Sequence, residues 1–522
     1  MPCESCGYRN SDDAAFCGLC GSRLLRSEPR VDPHVLQPPP LPNSAPSPSI
    51  SDATRYLCAV VQLNSRLAQR VIGDIVNQQY KAPPLSPGVD LMAVVRHATS
   101  ARARQVGRDA LLTFLTFLIA IGWWRFRAGS GLVIVAAVGM AWLIVFGEQL
   151  VATYGVLANQ LRPNRYHPES ASSPSSARFR RRLEVLNDHS EGNVTVYGAY
   201  GPFIGSGVTI GAWSFALDIR RSSEGRAAEA FTVHDLHDYV QEQIVSLRLG
   251  RLTVEDRVFV DGRDLRGDRR FLVQDLGAPV ARIESSLMRS LMAEPEDRVR
   301  PYTCFRIAGW CGQLVLSTFL RFVVTPQHLF VEVSHSLLTP ILERYQQVDR
   351  LLPRPTIFQV AEIGTRSLMM MPLQTLCAPM SVGRAIFGPF TRKTRRVQQR
   401  REIVSNLSFN YGADSSPREA VSDSRYQRYF QELDKDLYLK VVEKSILRSL
   451  VTFLEERGID THELIERQTT ILNNGVYVTG GAAVTADNIA AGLGAQAKSG
   501  LRGAAAGATS RAATVNRRSG AK

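Results

Sequence analysis

The sequence predicts a multidomain protein of mixed helix and strand, and three observations support that prediction. Four of the eight cysteines lie within the first twenty residues, two long runs are uncharged and apolar, and short alternating runs typical of strands follow them. The chain has 522 residues, which is too long for one ordinary domain. With 44% hydrophobic and 21% charged residues, the composition excludes a wholly disordered or coiled-coil protein.

The chain is basic. Its 62 Lys and Arg residues against 48 Asp and Glu residues give a formal net charge of +14, which indicates an anionic partner such as lipid headgroups or nucleic acid. The residues after Met1 have no apolar core of the kind that a secretory signal needs. We therefore expect the N-terminus to stay in the cytoplasm with its thiols reduced.

The N-terminal cysteines form two Cys-x-x-Cys pairs separated by ten residues. Two such turns can bring four thiolates to one metal at about 2.3 Å in a tetrahedral arrangement, and this donor set suits zinc. No position stays open for water, so we expect a structural metal, without which residues 1–26 could not fold. The alternative is four unrelated surface cysteines. The predicted zinc ligands are Cys3, Cys6, Cys17 and Cys20.

The residues around these cysteines resemble the short zinc-ribbon family found at the N-termini of many prokaryotic proteins. The matching segments run from Cys3 to Asn10 and from Ala15 to Gly21. The resemblance implies a small β-hairpin module that holds zinc through the four cysteines and interacts with a protein partner. The whole chain is similar to uncharacterised zinc-ribbon membrane proteins of actinobacteria, through its layout and the stretches that begin at Asn193 and Thr470. That similarity implies no activity.

A Pro/Ser-rich linker (27–51) and a juxtamembrane helical segment (52–105) precede two apolar runs. The first run, Ala110 to Trp124, is uncharged over fifteen residues, and the second, Ala128 to Gly147, is uncharged over twenty. A helix needs about 20 apolar residues to cross a bilayer, so the second run is long enough and the first needs an extra turn. We therefore predict a transmembrane helical hairpin over 106–158. The alternative is a helical pair buried in a soluble core.

Charge bias predicts the orientation of this hairpin. Six arginines flank its outer ends and two lie in its short loop, so the positive-inside rule places both termini in the cytoplasm of a two-span protein of the cell (inner) membrane. The flanking residues are Arg96, Arg102, Arg104, Arg108, Arg162 and Arg165, and the loop residues are Arg125 and Arg127.

A basic linker (159–182) leads into a predicted α+β domain (183–366). We expect strands from Val194 to Tyr200 and from Trp213 to Arg220 around a glycine-rich turn, and then a helix over about 234–249. Two hairpins are also predicted. The first turns at Asp261 and Gly262, and the second joins the strands Leu314 to Val324 and Leu329 to Val333.

Three features of this domain bear on chemistry. The glycine-rich segment 201–207 can cradle a phosphate or form a hairpin turn, and the turn is the preferred interpretation because no helix follows it. His234 and His237 can face one metal, but the acidic residues beside them are better explained as stabilising a helix N-terminus. Cys304 and Cys311 lack a histidine partner in sequence, so a buried apolar role is expected. We assign no catalytic and no cofactor-binding residue.

The C-terminal third begins with an apolar and polybasic interfacial segment (367–401). Prolines interrupt its apolar part, which argues against a third span, and its basic cluster predicts docking on anionic lipid headgroups near Arg392 to Arg401. The alternatives are nucleic acid as the partner, or packing of the apolar part into the domain. A helical segment and hairpin (402–487) follow, with a helix from Asp434 to Glu456 and a turn at Asn473 to Gly475 between strands 469–472 and 476–479. A disordered Ala/Gly-rich tail (488–522) comes last.

The predicted fold is thus a small zinc ribbon, a two-helix transmembrane hairpin, an α+β cytoplasmic domain, and a C-terminal helical segment with a disordered tail. The function that these parts predict is a membrane-anchored, non-enzymatic adaptor that recruits partners to the cytoplasmic face. The alternative is a membrane-tethered enzyme whose active site lies in 183–366. A channel is disfavoured because the spans contain no ionisable residue before Glu148.

Overall fold

The computed structural model describes residues 52–126, 131–168, 177–223, 227–249, 251–352 and 354–472. The chain divides into two units, Met1–Ser49 and Ile50–Lys522, and the described residues all belong to the second. Several predictions fall outside the described residues. These are the four zinc ligands Cys3, Cys6, Cys17 and Cys20, the 27–51 linker, Arg127 in the loop between the spans, the predicted turn at 473–475 and the tail 488–522.

Within the described residues, a mixed sheet of six strands lies in the part of the chain that follows the spans. The strands are β1 (Val194–Tyr197), β2 (Val208–Asp218), β3 (Leu252–Asp261), β4 (Val299–Gly309), β5 (Leu314–Val324) and β6 (His328–Leu338). Their order is β1-β3-β4-β5-β6-β2. β1 is parallel to β3, and the other neighbouring pairs are antiparallel. The structure is therefore of mixed α+β type, as predicted.

The predicted hairpin of β5 and β6 is confirmed. Its pairing runs from Val315 opposite Leu338 to Val324 opposite Leu329. Thr325 closes the turn, because its hydroxyl accepts a hydrogen bond of 2.9 Å from the His328 amide. Both strands are buried along most of their length, and burial of alternate side chains fixes their register.

Two other predicted hairpin turns are wrong. The segment 201–207 does not join neighbouring strands, because β1 and β2 lie at opposite edges of the sheet. β3 does end at Asp261, but its antiparallel partner β4 begins only at Val299. Gly262 instead allows a close approach, since a Cβ there would lie 2.2 Å from the Gly412 nitrogen. Turn residues specify a local bend and not which strand comes next in the sheet.

The described residues also form eleven α-helices, and the third and fourth of them contain the two predicted spans. They are α1 (Asp52–Leu63), α2 (Ser65–Val71), α3 (Leu91–Phe126), α4 (Gly131–Leu150), α5 (Ala158–Gln160), α6 (Ala177–Glu191), α7 (Val233–Ser246), α8 (Ser285–Ala293), α9 (Ile357–Ser405), α10 (Tyr429–Glu456) and α11 (His462–Leu472). π-Helical segments, Ile72–Val76 and Val151–Leu157, extend α2 and α4.

One hydrophobic core joins the sheet to α7, α8, α10 and α11. It contains residues from both of the segments predicted as 183–366 and 402–487, so these segments share a core. The helix predicted from Asp434 to Glu456 is confirmed and begins earlier, at Tyr429. The strand predicted for 469–472 is wrong, because these residues end α11, which Leu464 anchors in the core. Tertiary packing here overrides the strand propensity of a short β-branched run.

A second core surrounds α1. Ten of its twelve residues are buried, and Leu57 and Val61 share a cluster with Val94 of α3. The first part of the predicted helical segment 52–105 is helical from Asp52 to Val76 but is broken at Asn64. The Asn64 side chain accepts hydrogen bonds from the amides of Arg66 and Leu67, which caps α2 and explains the break.

Part of the predicted basic linker (159–182) is helical. Residues 169–176 are not described, but α6 begins at Ala177 and contains the arginines that suggested a linker. Arg182 is buried, and its Nε donates to the Ile75 carbonyl oxygen at 2.8 Å. This arginine therefore belongs to the core around α1.

Two helices are long and apolar enough to cross a membrane, Leu91–Gly122 and Val133–Gln160. Few residues of their most apolar windows are buried. Leu112 of α3 packs against Ala141 and Val145 of α4, which joins the two helices as the predicted hairpin. Apolar side chains such as Phe114, Phe117 and Val135 are exposed, as expected of helices surrounded by lipid.

Candidate membrane-binding site

α9 packs against both candidate spans as one helix of 49 residues. Met371 and Ala378 of α9 lie in one cluster with Leu112 of α3 and Ala141 of α4. The predicted interfacial segment 367–401 is therefore the middle of a longer helix. The alternative prediction, that its apolar part packs into the α+β domain, does not match these contacts.

Side-chain hydrogen bonds also join α9 to α4 and its π-helical extension. Trp142 Nε1 donates to the carbonyl oxygen of Gly364 at 3.0 Å, and the Tyr154 hydroxyl donates to Gln359 Oε1 at 2.9 Å. A Cβ at Gly364 would lie 3.6 Å from the Trp142 ring. The indole is thus in close contact with the α9 backbone, and α9 has a defined position beside the spans.

One face of α9 is apolar and exposed. Met369 is 83% exposed and Leu376 is 79% exposed. The residues of this face recur at intervals of three, four or seven, which is the spacing of one helix face. We call them the α9 stripe, and they are Met369, Leu373, Leu376, Met380, Phe387 and Phe390. An apolar face of this length on a helix beside candidate spans is typical of a helix that lies in the membrane interface.

A run of six basic residues follows the α9 stripe. These residues, the α9 basic run, are Arg392, Lys393, Arg395, Arg396, Arg400 and Arg401. Within the part of the chain that the structure describes, none of the six forms an ion pair with a carboxylate. Arg400 Nε donates to the Tyr80 hydroxyl at 2.8 Å, which ties the end of α9 to the chain before α3. The run therefore presents positive charge that the described residues do not neutralise.

An ion-pair cluster, which the sequence analysis missed, lies where the apolar runs of both spans end. Glu148 Oε1 is 2.9 Å from Arg104 Nε, and its Oε2 is 3.4 Å from Arg108 Nη1. Arg108 also pairs with Asp109 at 2.7 Å, and Arg104 Nη1 donates to Gln62 Oε1 at 2.8 Å. Two arginines four residues apart share one helix face, and this spacing could have predicted a common acidic partner.

His237 lies between two carboxylates. Its Nε2 is 2.9 Å from Asp256 Oδ1 and its Nδ1 is 3.1 Å from Asp238 Oδ1. Thr303 donates its hydroxyl to the same Asp256 oxygen at 3.0 Å. Burial of the ring opposes its protonation, but the two carboxylates outweigh burial and raise the pKa of His237 above its usual value. A cavity of about 440 Å³, which also reaches His234, lies beside this network.

Of the acidic residues near His237, Asp235 has the helix-capping role that the sequence predicts. The Asp235 amide donates to the Thr232 hydroxyl at 3.3 Å, and the Thr232 amide donates to Asp235 Oδ2 at 2.8 Å. This capping box starts α7. Among the described residues, no group of three or more His, Cys, Asp or Glu side chains could hold a metal ion.

The glycine loop 201–207 binds an anionic group of the chain itself. The amides of Gly205 and Gly207 both donate to Glu419 Oε1, at 2.7 and 3.0 Å. Both glycines have φ near +90°, a conformation that favours glycine. The loop also places Phe203 against Phe319, with ring centroids 3.8 Å apart, over the sheet face opposite the helices. Its amides are therefore occupied by a carboxylate.

The two cysteines of the α+β domain, Cys304 and Cys311, differ in burial. Cys304 is buried as predicted, and burial raises the pKa of its thiol to about 12, which keeps it protonated. Cys311 is exposed, so the prediction of a buried role is wrong for this residue. It lies in the short turn between β4 and β5, where its φ is +53°.

Comparison with known proteins gives one match. The family model of the AbeC-like domain matches residues 212–485, from β2 through α11, which is slightly more than half of the chain. No curated protein and no solved structure matches.

This match contradicts the resemblance to the zinc-ribbon family. It begins far beyond the N-terminal cysteines, and no zinc-ribbon family is found. The predicted membership of the zinc-ribbon family, and the likeness of the whole chain to actinobacterial zinc-ribbon membrane proteins, are therefore wrong. A match over the greater part of the chain establishes the family instead. This chain belongs to the AbeC-like domain family.

Proposed function

We propose that the protein is a non-enzymatic membrane adaptor, which holds its α+β domain against the cytoplasmic face of the cell membrane and recruits partners there. One observation supports this proposal above the others: α9 packs on both candidate spans and exposes the α9 stripe beside them. Monomeric soluble proteins rarely expose so large an apolar patch, whereas a helix at a membrane interface buries it in lipid.

Electrostatic attraction to anionic lipid adds to the free energy that burial of the α9 stripe contributes to membrane binding. Each Lys or Arg near an anionic leaflet contributes about 1 kcal/mol, so the α9 basic run contributes several kcal/mol. Because α9 ends next to the sheet's core at Ile403, its docking fixes the domain at the membrane surface. This arrangement suits an adaptor, whose partners must be held close to the lipid.

The proposed orientation places both termini in the cytoplasm. It is supported by the arginines that flank the spans, including Arg96 and Arg162. The test is labelling of intact cells with a membrane-impermeant maleimide on Gly129→Cys and Ser175→Cys variants. We expect the label at Gly129 and not at Ser175. The reverse pattern would overturn the orientation and with it the cytoplasmic adaptor.

A groove of about 640 Å³ on the sheet is the proposed surface for a protein partner. Its lining includes the fully exposed Tyr200, together with Trp213 and Arg300. Tyr, Trp and Arg are the residue types that dominate binding energy at protein interfaces. A photo-crosslinker at Tyr200 should capture a defined partner in cells, and one at the exposed Val273, outside the groove, should not. Equal capture at both positions would argue against the groove.

The alternative, an enzyme with its site in 183–366, is favoured by one observation. His237 is bonded to Asp256 beside a cavity, and a histidine oriented by a carboxylate can move protons. A small molecule that raises the melting temperature of the wild type, but not of an Asp256→Asn variant, would support the enzyme. If Asp218→Asn, outside the cavity, loses the effect equally, the cavity is not the site.

A further inference from the structure

A cavity of about 940 Å³ lies between α2, α3, α4 and α9. Its wall includes Arg108, Asp109 and Glu148. The first two directly precede the apolar run 110–124 of the first span, and Glu148 directly follows the apolar run 128–147 of the second. The cavity therefore lies at the depth where the hydrocarbon of a bilayer ends and the lipid headgroups begin.

The lining of this cavity has an excess of positive charge. Both of its carboxylates, Asp109 and Glu148, are already bonded to Arg104 or Arg108. Five further arginines, from four different elements, line the cavity and form no ion pair with a carboxylate within the ranges that the structure describes. They are Arg66, Arg102, Arg344, Arg366 and Arg384. Arginines that converge without acidic partners are typical of a site for phosphate.

A buried amide provides a second, independent indication of a ligand. Gln105 lines the cavity and is 4% exposed, yet its Oε1 has no hydrogen-bond partner. Gln374 Oε1, on the α9 wall, is likewise buried without a partner. A buried acceptor without a donor costs about 1–3 kcal/mol, which a hydroxyl group of a ligand would recover. Met370 and Leu373 of α9 add apolar surface to the same wall.

We propose that this cavity binds the headgroup of an anionic phospholipid. The unpaired arginines bind the phosphate, Gln105 Oε1 accepts a hydrogen bond from a headgroup hydroxyl, and the acyl chains leave past the methionine and leucine side chains of α9. Basic pockets between spans on the cytoplasmic side are suited to such lipids. The proposal rests on the proposed function, because the cavity meets lipid only if the helices α3 and α4 span a bilayer.

The test uses the full chain, purified in detergent and examined by native mass spectrometry. Phosphatidylglycerol, phosphatidylcholine and soluble glycerol 3-phosphate are added separately. We expect retention of phosphatidylglycerol only. Phosphatidylcholine has the same phosphate but adds a choline cation and lacks the glycerol hydroxyls, so its equal retention would overturn the assignment to an anionic headgroup. Equal retention of glycerol 3-phosphate would overturn the assignment to a lipid.

Variants locate the lipid. Arg366→Gln with Arg384→Gln removes two exposed cavity arginines, and we expect at least a tenfold loss of retained phosphatidylglycerol. Arg180→Gln with Arg181→Gln removes the same charge from the exposed face of α6 and should lose little. Gln105→Leu, similar in size, should also reduce retention. Wild-type retention in both cavity variants would overturn the proposal. This readout is separate from α9 docking, because a lipid can stay in the cavity whether or not the α9 stripe enters the bilayer.

Discussion

Buried arginines connect distant parts of the chain. Arg418 is fully buried, and it donates to the carbonyl oxygens of Gln313 at 2.9 Å and Thr339 at 2.7 Å. It therefore joins the segment after α9 to both ends of the β5–β6 hairpin. Burial lowers the pKa of Arg418 to about 10, so its guanidinium stays protonated at neutral pH.

Replacing this arginine should destabilise the fold. Arg418→Met leaves both carbonyl groups buried without a donor, and we expect a loss of about 3 kcal/mol in the free energy of unfolding. Denaturant unfolding of the purified chain measures it. Arg425→Met, at an exposed position of the same segment, is the control and should change stability by less than about 0.5 kcal/mol. Equal values for the two variants would show that the Arg418 bonds contribute nothing.

His237 should make stability depend on pH. The groups that face it are Asp238 on α7 and Asp256 on β3, and Arg289 of α8 is bonded to Asp238 at 3.3 Å. The folded state raises the pKa of His237, so its contribution is complete below the unfolded pKa of about 6.5. The contribution is lost as the pH rises through the raised pKa of the folded state.

The measurement is the melting temperature between pH 6 and pH 9. The wild type should lose stability towards alkaline pH relative to His237→Gln, which lacks the titrating group. His234→Gln, on the same helix, should keep the wild-type slope. If His237→Gln also keeps that slope, the interaction with the two carboxylates does not stabilise the fold.

At the level of elements, the sequence predicts local helices and hairpins better than the order of the strands in the sheet. The β5–β6 hairpin and α10 follow from apolar patterning over short distances. The position of β2 beside β6 could not be predicted, because β2 pairs with a strand more than 100 residues later. The length of α9 was also missed. Pro372 and Pro379 predict a break, but packing on the spans offsets a cost of about 3 kcal/mol for each proline.

Substitutions in the glycine loop 201–207 test whether its close approach to the rest of the chain stabilises the fold. Gly205 has φ of +90°, and a Cβ there would lie 1.7 Å from the Leu85 carbonyl oxygen. We expect Gly205→Ala to cost at least about 2 kcal/mol, because it adds both strain and a clash. At Gly201 no atom lies within 4 Å of an added Cβ, so Gly201→Ala should be nearly neutral in thermal unfolding. Similar losses for both variants would contradict the close approach.

For the whole molecule, the sequence anticipates the two long apolar helices and the apolar and basic segment that packs beside them. It does not anticipate the cavity at their base, because its arginines come from elements hundreds of residues apart, such as Arg66 and Arg384. The His237 pair with Asp256 was missed for the same reason, since only the fold brings α7 against β3. Side chains that meet through tertiary packing leave no local signal in one sequence.

Zinc binding by the N-terminal cysteines stays a prediction, and it is tested on the whole chain. We expect one zinc ion per purified chain under reducing conditions, because four convergent thiolates bind zinc tightly. Cys17→Ser should lose the zinc, and Cys311→Ser, at an exposed cysteine far along the sequence, should keep it. Metal analysis that finds no stoichiometric zinc in the wild type would contradict the prediction.

The central claim is that α9 lies in the membrane interface, and a spin label on the α9 stripe tests it most directly. The label is placed at Leu376→Cys, or at the fully exposed Tyr200→Cys as a control, in full chain whose other accessible cysteines are serine. In vesicles with anionic lipid, the label at 376 should be more accessible to oxygen than to a polar nickel complex, and the label at 200 should show the opposite preference. If the label at 376 is as accessible to the nickel complex as the label at 200, α9 does not enter the membrane and the account is contradicted.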